Sequence, residues 1–203
     1  MQVADSGDTR LVGGGSITKE NDMSEPVLVV PYNPSWKAEF LEIGTRIRRS
    51  LGNKAIRIDH IGSTSIPGLD AKPIIDIQVS IDSLGSVDSF NHLLKEIGLH
   101  HRADNPDLTK RYFREITGQK RVHLHVRESG SWSEQTALLF RDYLRCHPLD
   151  CLRYAEEKYK LMEIYKYERE NYVNEKEPII WDILRKASKW SQQVGWKPGM
   201  TDI

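Results

Sequence analysis

The chain has 203 residues, enough for one domain with a sizeable core. Hydrophobic residues make up 38% and charged residues 29%, the balance of an ordinary globular chain. Lys+Arg and Asp+Glu both total 29, so the formal net charge is zero, which argues against a nucleic-acid partner.

No apolar run approaches the roughly 20 residues of a membrane span. The N-terminus lacks the basic-then-apolar layout of a signal peptide, so the expected location is the cytoplasm. The two cysteines, Cys146 and Cys151, flank a His-Pro turn and form no metal-type pair; they are expected to be reduced and structural.

Residues 1–25 carry Gly13-Gly14-Gly15-Ser16 and scattered polar groups with almost no apolar pattern, so they are expected as a disordered tail. Met23 begins a plausible shorter chain. Order is expected from a short strand at Val27–Val30. Ser35 is the expected N-cap of a helix whose buried stripe is Trp36, Phe40, Ile43, Ile47 and Leu51. Gly52-Asn53 ends it.

Residues 55–61 read as a strand, 62–73 as a turn-rich loop, and 74–81 as a strand apolar enough to be covered on both faces. A helix is expected over 84–97, closed by Gly98. Residues 111–117 and 121–127 form a hairpin around Gly118-Gln119. Helices follow at about 133–146, 149–170 and 176–190. The second carries the stripe Leu152, Ala155, Tyr159 and Met162, and the Lys/Glu-rich run 156–177 reads as a solvated face. A single domain over 26–192 with a C-terminal tail at 193–203 is expected. Its class is α/β (α+β): strands and helices first, then an all-helical C-terminal part.

The most informative stretch is Ile58-Asp59-His60-Ile61-Gly62-Ser63-Thr64-Ser65-Ile66-Pro67-Gly68-Leu69-Asp70-Ala71-Lys72-Pro73-Ile74-Ile75-Asp76-Ile77. It resembles the signature of the GrpB/UPF0157 family. The likeness continues at Arg111-Tyr112-Phe113-Arg114, His123-Leu124-His125-Val126, Phe140-Arg141-Asp142-Tyr143-Leu144-Arg145 with His147-Pro148, and Tyr172-Val173-Asn174-Glu175-Lys176, where Val173 replaces the family's Thr. It runs from about residue 27 to 190.

The resemblance implies a nucleotidyltransferase-like fold, a mixed sheet flanked by helices. In that superfamily a Gly-Ser turn holds triphosphate through its amides, and a strand presents Asp-hydrophobic-Asp to a divalent metal. Gly62-Ser63 and Asp76 keep part of that plan. The strand continues Ile77-Gln78, so the second carboxylate is missing, and His123 and His125 stand where a third would be. Alternation along the strands puts Arg121, His123 and His125 on one face, and Asp76 and Gln78 likewise share a face.

The expected catalytic and metal residues are therefore Asp76, His123 and His125. One carboxylate with two imidazoles suits Zn²⁺, Mn²⁺, Ni²⁺ or Fe²⁺ better than Mg²⁺. Gly62, Ser63, Thr64, Lys72, Arg111, Arg114 and Lys176 are the expected nucleotide or phosphate contacts. His60, Arg141 and Asp142 read as structural. Three functions remain open: a nucleotidyl- or phosphoryl-type transferase or ligase acting on a nucleotide or phosphorylated small molecule, favoured because the polar residues come from four separate segments; a non-catalytic nucleotide- or phosphate-binding module; and a regulatory or structural partner with a vestigial pocket. The sequence does not specify the oligomeric state.

Overall fold

The computed structural model describes residues 25–203; the expected tail, apart from Glu25, lies outside them. Five strands form one mixed sheet: β1 (Arg57–Ile61), β2 (Ile75–Ile81), β3 (Leu99–His101), β4 (Lys110–Glu115) and β5 (Val122–Glu128). Their order is β1-β2-β5-β4-β3. Only β2 and β5 run parallel; the other neighbours are antiparallel. The helices are α1 (Ser35–Leu51), α2 (Asp88–Glu96), α3 (Trp132–Cys146), α4 (Pro148–Ile164), α5 (Arg169–Glu175) and α6 (Glu177–Val194). The expected α+β architecture with an all-helical C-terminal part is what forms.

The two faces of the sheet differ in chemistry. On one face Ile58, Ile75, Ile77, Val79, Phe113, Leu124 and Val126 meet Trp36, Phe40 and Ile47 of α1 and Phe90 and Leu94 of α2. Phe40 and Ile47 are almost completely buried, each worth about 1.5–3 kcal/mol of transfer free energy. The other face carries Asp59 on β1, Asp76, Gln78 and Ser80 on β2, His123, His125 and Arg127 on β5, and Tyr112 and Arg114 on β4, side by side in register. A sheet face this polar is affordable only where partners are supplied.

Helix α3 supplies several of them. Ser131 caps it, accepting from the Glu134 N–H, the first half of a Ser-x-x-Glu capping box. The Glu134 carboxylate then accepts from the Ser80 hydroxyl and from the Gly130 N–H. Gln78 is fully buried; its amide accepts from Arg127 and donates to the Glu134 carbonyl. Strand β2 is therefore covered on both faces, one covering being apolar and the other polar. Arg141 of α3, 3% exposed, reaches Asp142 at 2.8 Å, Asp202 at 3.1 Å and Asp59 at 3.5 Å, the network expected of it.

Several local expectations fail for identifiable reasons. Among the described residues Val27–Val30 makes one bridge, Val30 to Ala71, and Val27 and Val29 pack instead with Leu161 and Tyr172. Ser35 is the first residue of α1 rather than its cap; its N–H is taken by Asn33 and its hydroxyl by Glu39. The helix expected over 84–97 begins only at Asp88. The helix expected over 149–170 is two, because the chain turns between Ile164 and Arg169. Within α4 the buried stripe is Cys151, Tyr154, Lys158 and Leu161, one residue earlier than expected, and Leu152 is exposed. Residues 193–203 do not trail away as a tail. Helix α6 reaches Val194 and stops at left-handed Gly195; Thr201 and Ile203 then bond to Ile58, and Asp202 accepts from the His60 N–H. Cys146 and Cys151 are both free. Among the described residues no helix is long and apolar enough to cross a membrane.

Candidate functional site

Strand β1 ends at Ile61 and the chain turns through Gly62 into the short Ser63–Ser65 helical turn. Gly62 sits at φ 68°, ψ −172°, a conformation open essentially only to glycine. The reason is the neighbour: a Cβ there would stand 2.5 Å from an Asp76 carboxylate oxygen. Glycine thus lets the turn lie directly against the first polar side chain of β2. The Ser65 hydroxyl donates to the Gly62 carbonyl at 2.6 Å and ties the turn closed.

Asp76 faces β5. Its Oδ1 is 3.3 Å from His123 Nδ1 and 3.6 Å from His125 Nε2. Burial alone would raise the Asp76 acid; the two imidazoles outweigh burial and hold the carboxyl well below the usual carboxylate range. Burial pushes His125 down to about 4, so it is neutral near pH 7. Tyr112 of β4 closes the far side, its ring 5.3 Å from His125 and 5.6 Å from His123. His123 Nε2 and His125 Nδ1 are buried without a hydrogen-bond partner among the described residues.

Above Asp76 lies a cleft of about 220 Å³. Ser63, Asp76 and His123 contribute to one side, and Lys72, Lys158, Arg169 and Lys176 to the others. Tyr172 organises two of these cations: Lys72 lies 4.6 Å and Lys176 5.3 Å from its ring centre. Lys158 is 2% exposed and donates to the Asp70 carbonyl. Burial, reinforced by nearby Lys176, brings both Lys72 and Lys158 down to about 7. Among the described residues no carboxylate stands within ion-pair distance of Lys72, Lys158, Arg169 or Lys176. Four basic groups around one small space, with Asp76 the only acid on its walls among the described residues, make a site for an anion with several oxygens.

The structure brings together Gly62, Ser63, Lys72, Asp76, His123, His125 and Lys176. Thr64 also lines the cleft, but its hydroxyl is spent on the His60 ring at 3.0 Å and the Ile74 carbonyl at 3.2 Å. His60 is buried and stacked on Phe40, with ring centres 4.7 Å apart. Arg114 is the register partner of His123 and flanks it, bonded to Glu115. Arg111 is not at the site: it pairs with Val126, on the opposite face of the sheet from His123, and donates to the Leu108 and Lys110 carbonyls. Two residues apart shares a face; three apart does not.

Lys158, Arg169 and Tyr172 are the cleft residues that sequence reasoning missed. For Lys158 a signal exists. Cys151, Tyr154, Lys158 and Leu161 are spaced three, four and three, the period of a buried stripe, with a lysine inside it. Arg169 and Tyr172 follow the break between α4 and α5, which no turn residue marks.

Among the described residues no three His, Cys, Asp or Glu side chains are placed to hold a metal ion, and Gln78 is committed to Arg127 and Glu134, so the expected metal role of Asp76, His123 and His125 is not shown.

A family model described as "GrpB protein" matches residues 26–186. UPF0157 protein YqkA of Bacillus subtilis is 34% identical over 82% of this chain and 48% of its own length. A dephospho-CoA kinase of Mycolicibacterium paratuberculosis is 34% identical over 85% of this chain and 49% of its own. This chain therefore spans about half the length of those two relatives. The crystal structure of the conserved protein GrpB from Enterococcus faecalis superposes with a TM-score of 0.76 at 28% identity, covering 81% of this chain and 99% of that one. The Cid1 poly(U) polymerase bound to MgGTP superposes at 0.49 with 14% identity, over 68% of this chain and 46% of that one. With its motifs, its fold and the match over residues 26–186 in agreement, this chain belongs to the GrpB family.

Proposed function

We propose that this chain binds the phosphates of a nucleotide, or of a phosphate-activated small molecule, in the cleft above Asp76 and acts on it as a nucleotidyltransferase-like enzyme. One observation carries the reading: Lys72, Lys158, Arg169 and Lys176 converge without carboxylate partners beside the Gly62-Ser63 turn. Uncompensated cations at close quarters repel one another, and a polyanion relieves that repulsion. The free amides of the turn add donors for phosphate oxygens. The four cations offset the charge that develops on a departing phosphate, as fixed dipoles and charges do in transfer sites generally. Asp76 and His123 stand at the wall of the same cleft, with His125 behind them at 3.6 Å from Asp76.

A second reading, a non-catalytic phosphate-binding module, is favoured by Gln78. It occupies the place of a second carboxylate and is locked into a buried network instead.

Turnover separates the two. The protein is incubated with each of the four nucleoside triphosphates, in EDTA and with Mg²⁺, Mn²⁺ or Zn²⁺, and nucleotide loss is followed by chromatography. The enzyme reading expects consumption of at least one nucleotide by wild type and none by Asp76→Asn of unchanged fold. Thermal stabilisation by a nucleotide without consumption would select the module. Neither effect with any nucleotide would sink both.

A further inference from the structure

The cleft continues past Lys72. Lys72, Ile74 and Arg169 wall it on one side, and the same three residues wall a second hollow of about 270 Å³ on the other. The character changes across that partition. The near side is polar and cationic. The far side is largely apolar, built by Pro26, Val27, Leu28 and Pro73. Its remaining walls are Glu25 and Arg121, paired with each other at 2.8 Å.

The apolar wall is held in place. Val27 is 5% exposed and donates its N–H to the Lys166 carbonyl at 2.7 Å; Val30 bridges Ala71. Leu28 between them is 54% exposed, a large apolar side chain turned away from the core and onto the hollow. Two prolines and a leucine offer flat C–H surface, which a planar aromatic ring covers better than a hydroxyl-rich sugar does. The ion pair offers an acceptor and donors to the edge of such a ring: the Glu25 carboxylate to an exocyclic amine, the Arg121 guanidinium to a ring nitrogen or carbonyl.

We propose that this hollow is the base subsite of the cleft, so that the ligand is a nucleotide and not a bare polyphosphate or a sugar phosphate. This rests on the phosphate reading above and adds the heteroaromatic half of the ligand. The phosphates lie among Lys72, Lys158, Arg169 and Lys176, and the base lies across Lys72 against Pro73 and Leu28.

The test is calorimetric titration of the full chain with the four nucleoside triphosphates and with inorganic tripolyphosphate, all in EDTA. Wild type and Leu28→Asn are compared. Leu28 is exposed, and retained tripolyphosphate binding reports that the variant is folded. The expected result is that at least one nucleoside triphosphate binds wild type tenfold or more tightly than tripolyphosphate. In Leu28→Asn that preference should fall by at least fivefold while the tripolyphosphate affinity stays the same. Equal affinities in wild type would overturn the subsite and leave the phosphate reading standing. A preference undiminished in Leu28→Asn would overturn its location. No binding of either ligand would overturn the phosphate reading, and the subsite with it.

Discussion

Replacing Gly62 by alanine tests how the turn and Asp76 are fitted together. The alanine Cβ would lie 2.5 Å from Asp76 Oδ2 and 2.9 Å from both Asp76 Cβ and Cγ, all closer than real contacts. The backbone at φ 68°, ψ −172° adds strain of about 1–3 kcal/mol for any residue but glycine. At roughly 2–4 °C per kcal/mol for a chain of this size, strain alone lowers the melting temperature by about 2–12 °C. The crowding adds to that and pushes the carboxylate off His123 and His125. Gly118→Ala is the control: its φ is also positive, at 88°, but nothing lies within 4 Å of an added Cβ. Thermal unfolding followed by circular dichroism should therefore rank Gly62→Ala well below Gly118→Ala. In Gly62→Ala/Asp76→Ala the Oδ2 and Cγ contacts are gone, so the double loss should fall short of the sum of the singles by about 0.5–3 kcal/mol. Strict additivity, or equal melting of the two glycine variants, would refute the idea that Gly62 is there to admit Asp76.

Burial holds His125 at about 4 and His60 at about 3, against an ordinary value of 6.5, so both are neutral in the fold while the unfolded chain takes up their protons first. Their contribution is full above pH 6.5 and is lost as pH falls towards those values, roughly 3 kcal/mol for His125; urea melts from pH 7 to 4 should show the loss, and His125→Gln should flatten it. Burial, reinforced by Lys176, holds Lys72 and Lys158 at about 7, so a bound polyphosphate should raise them. Binding near pH 7.5 should take up protons, seen as buffer-dependent heats in calorimetry, and affinity should fall between pH 7 and 9; heats independent of buffer would contradict this. Arg141→Met strips the buried network of its centre, although Arg57 still holds Asp59 at 2.8 Å; a loss of about 3 kcal/mol in urea denaturation is expected, and a loss below about 1 kcal/mol would show the network to be dispensable.

The elements of the α+β core were legible because their period is clean. Trp36, Phe40 and Ile47 recur at helical steps and do face the sheet. Parity on a strand puts His123 and His125 of β5 on one face; that this face adjoins Asp76 is what the family resemblance implies, and the register of β2 with β5 agrees. The same rule, applied to Arg111 and Arg114, would have separated them. Three things were hidden. The stripe of α4 was misread because Lys158 interrupts it, and a lysine in a buried stripe looks like a solvated one until its surroundings are known. Arg169 and Tyr172 reach the cleft through a break between α4 and α5 that carries no glycine or proline. Thr201–Ile203 bond along β1 through backbone groups and two short side chains, contacts that leave no hydrophobic pattern in the sequence.

The central claim is that cations around Asp76 form an anion cleft. It is tested most directly by thermal unfolding of wild type and of Lys72→Ala/Lys176→Ala against tripolyphosphate and the nucleoside triphosphates in EDTA. A ligand at a hundred times its Kd adds about 2.7 kcal/mol. The account predicts an upward shift of several degrees in wild type and little or none in the double variant, whose own melting stays close to that of wild type. No shift in either protein, or an equal shift in both, would contradict it.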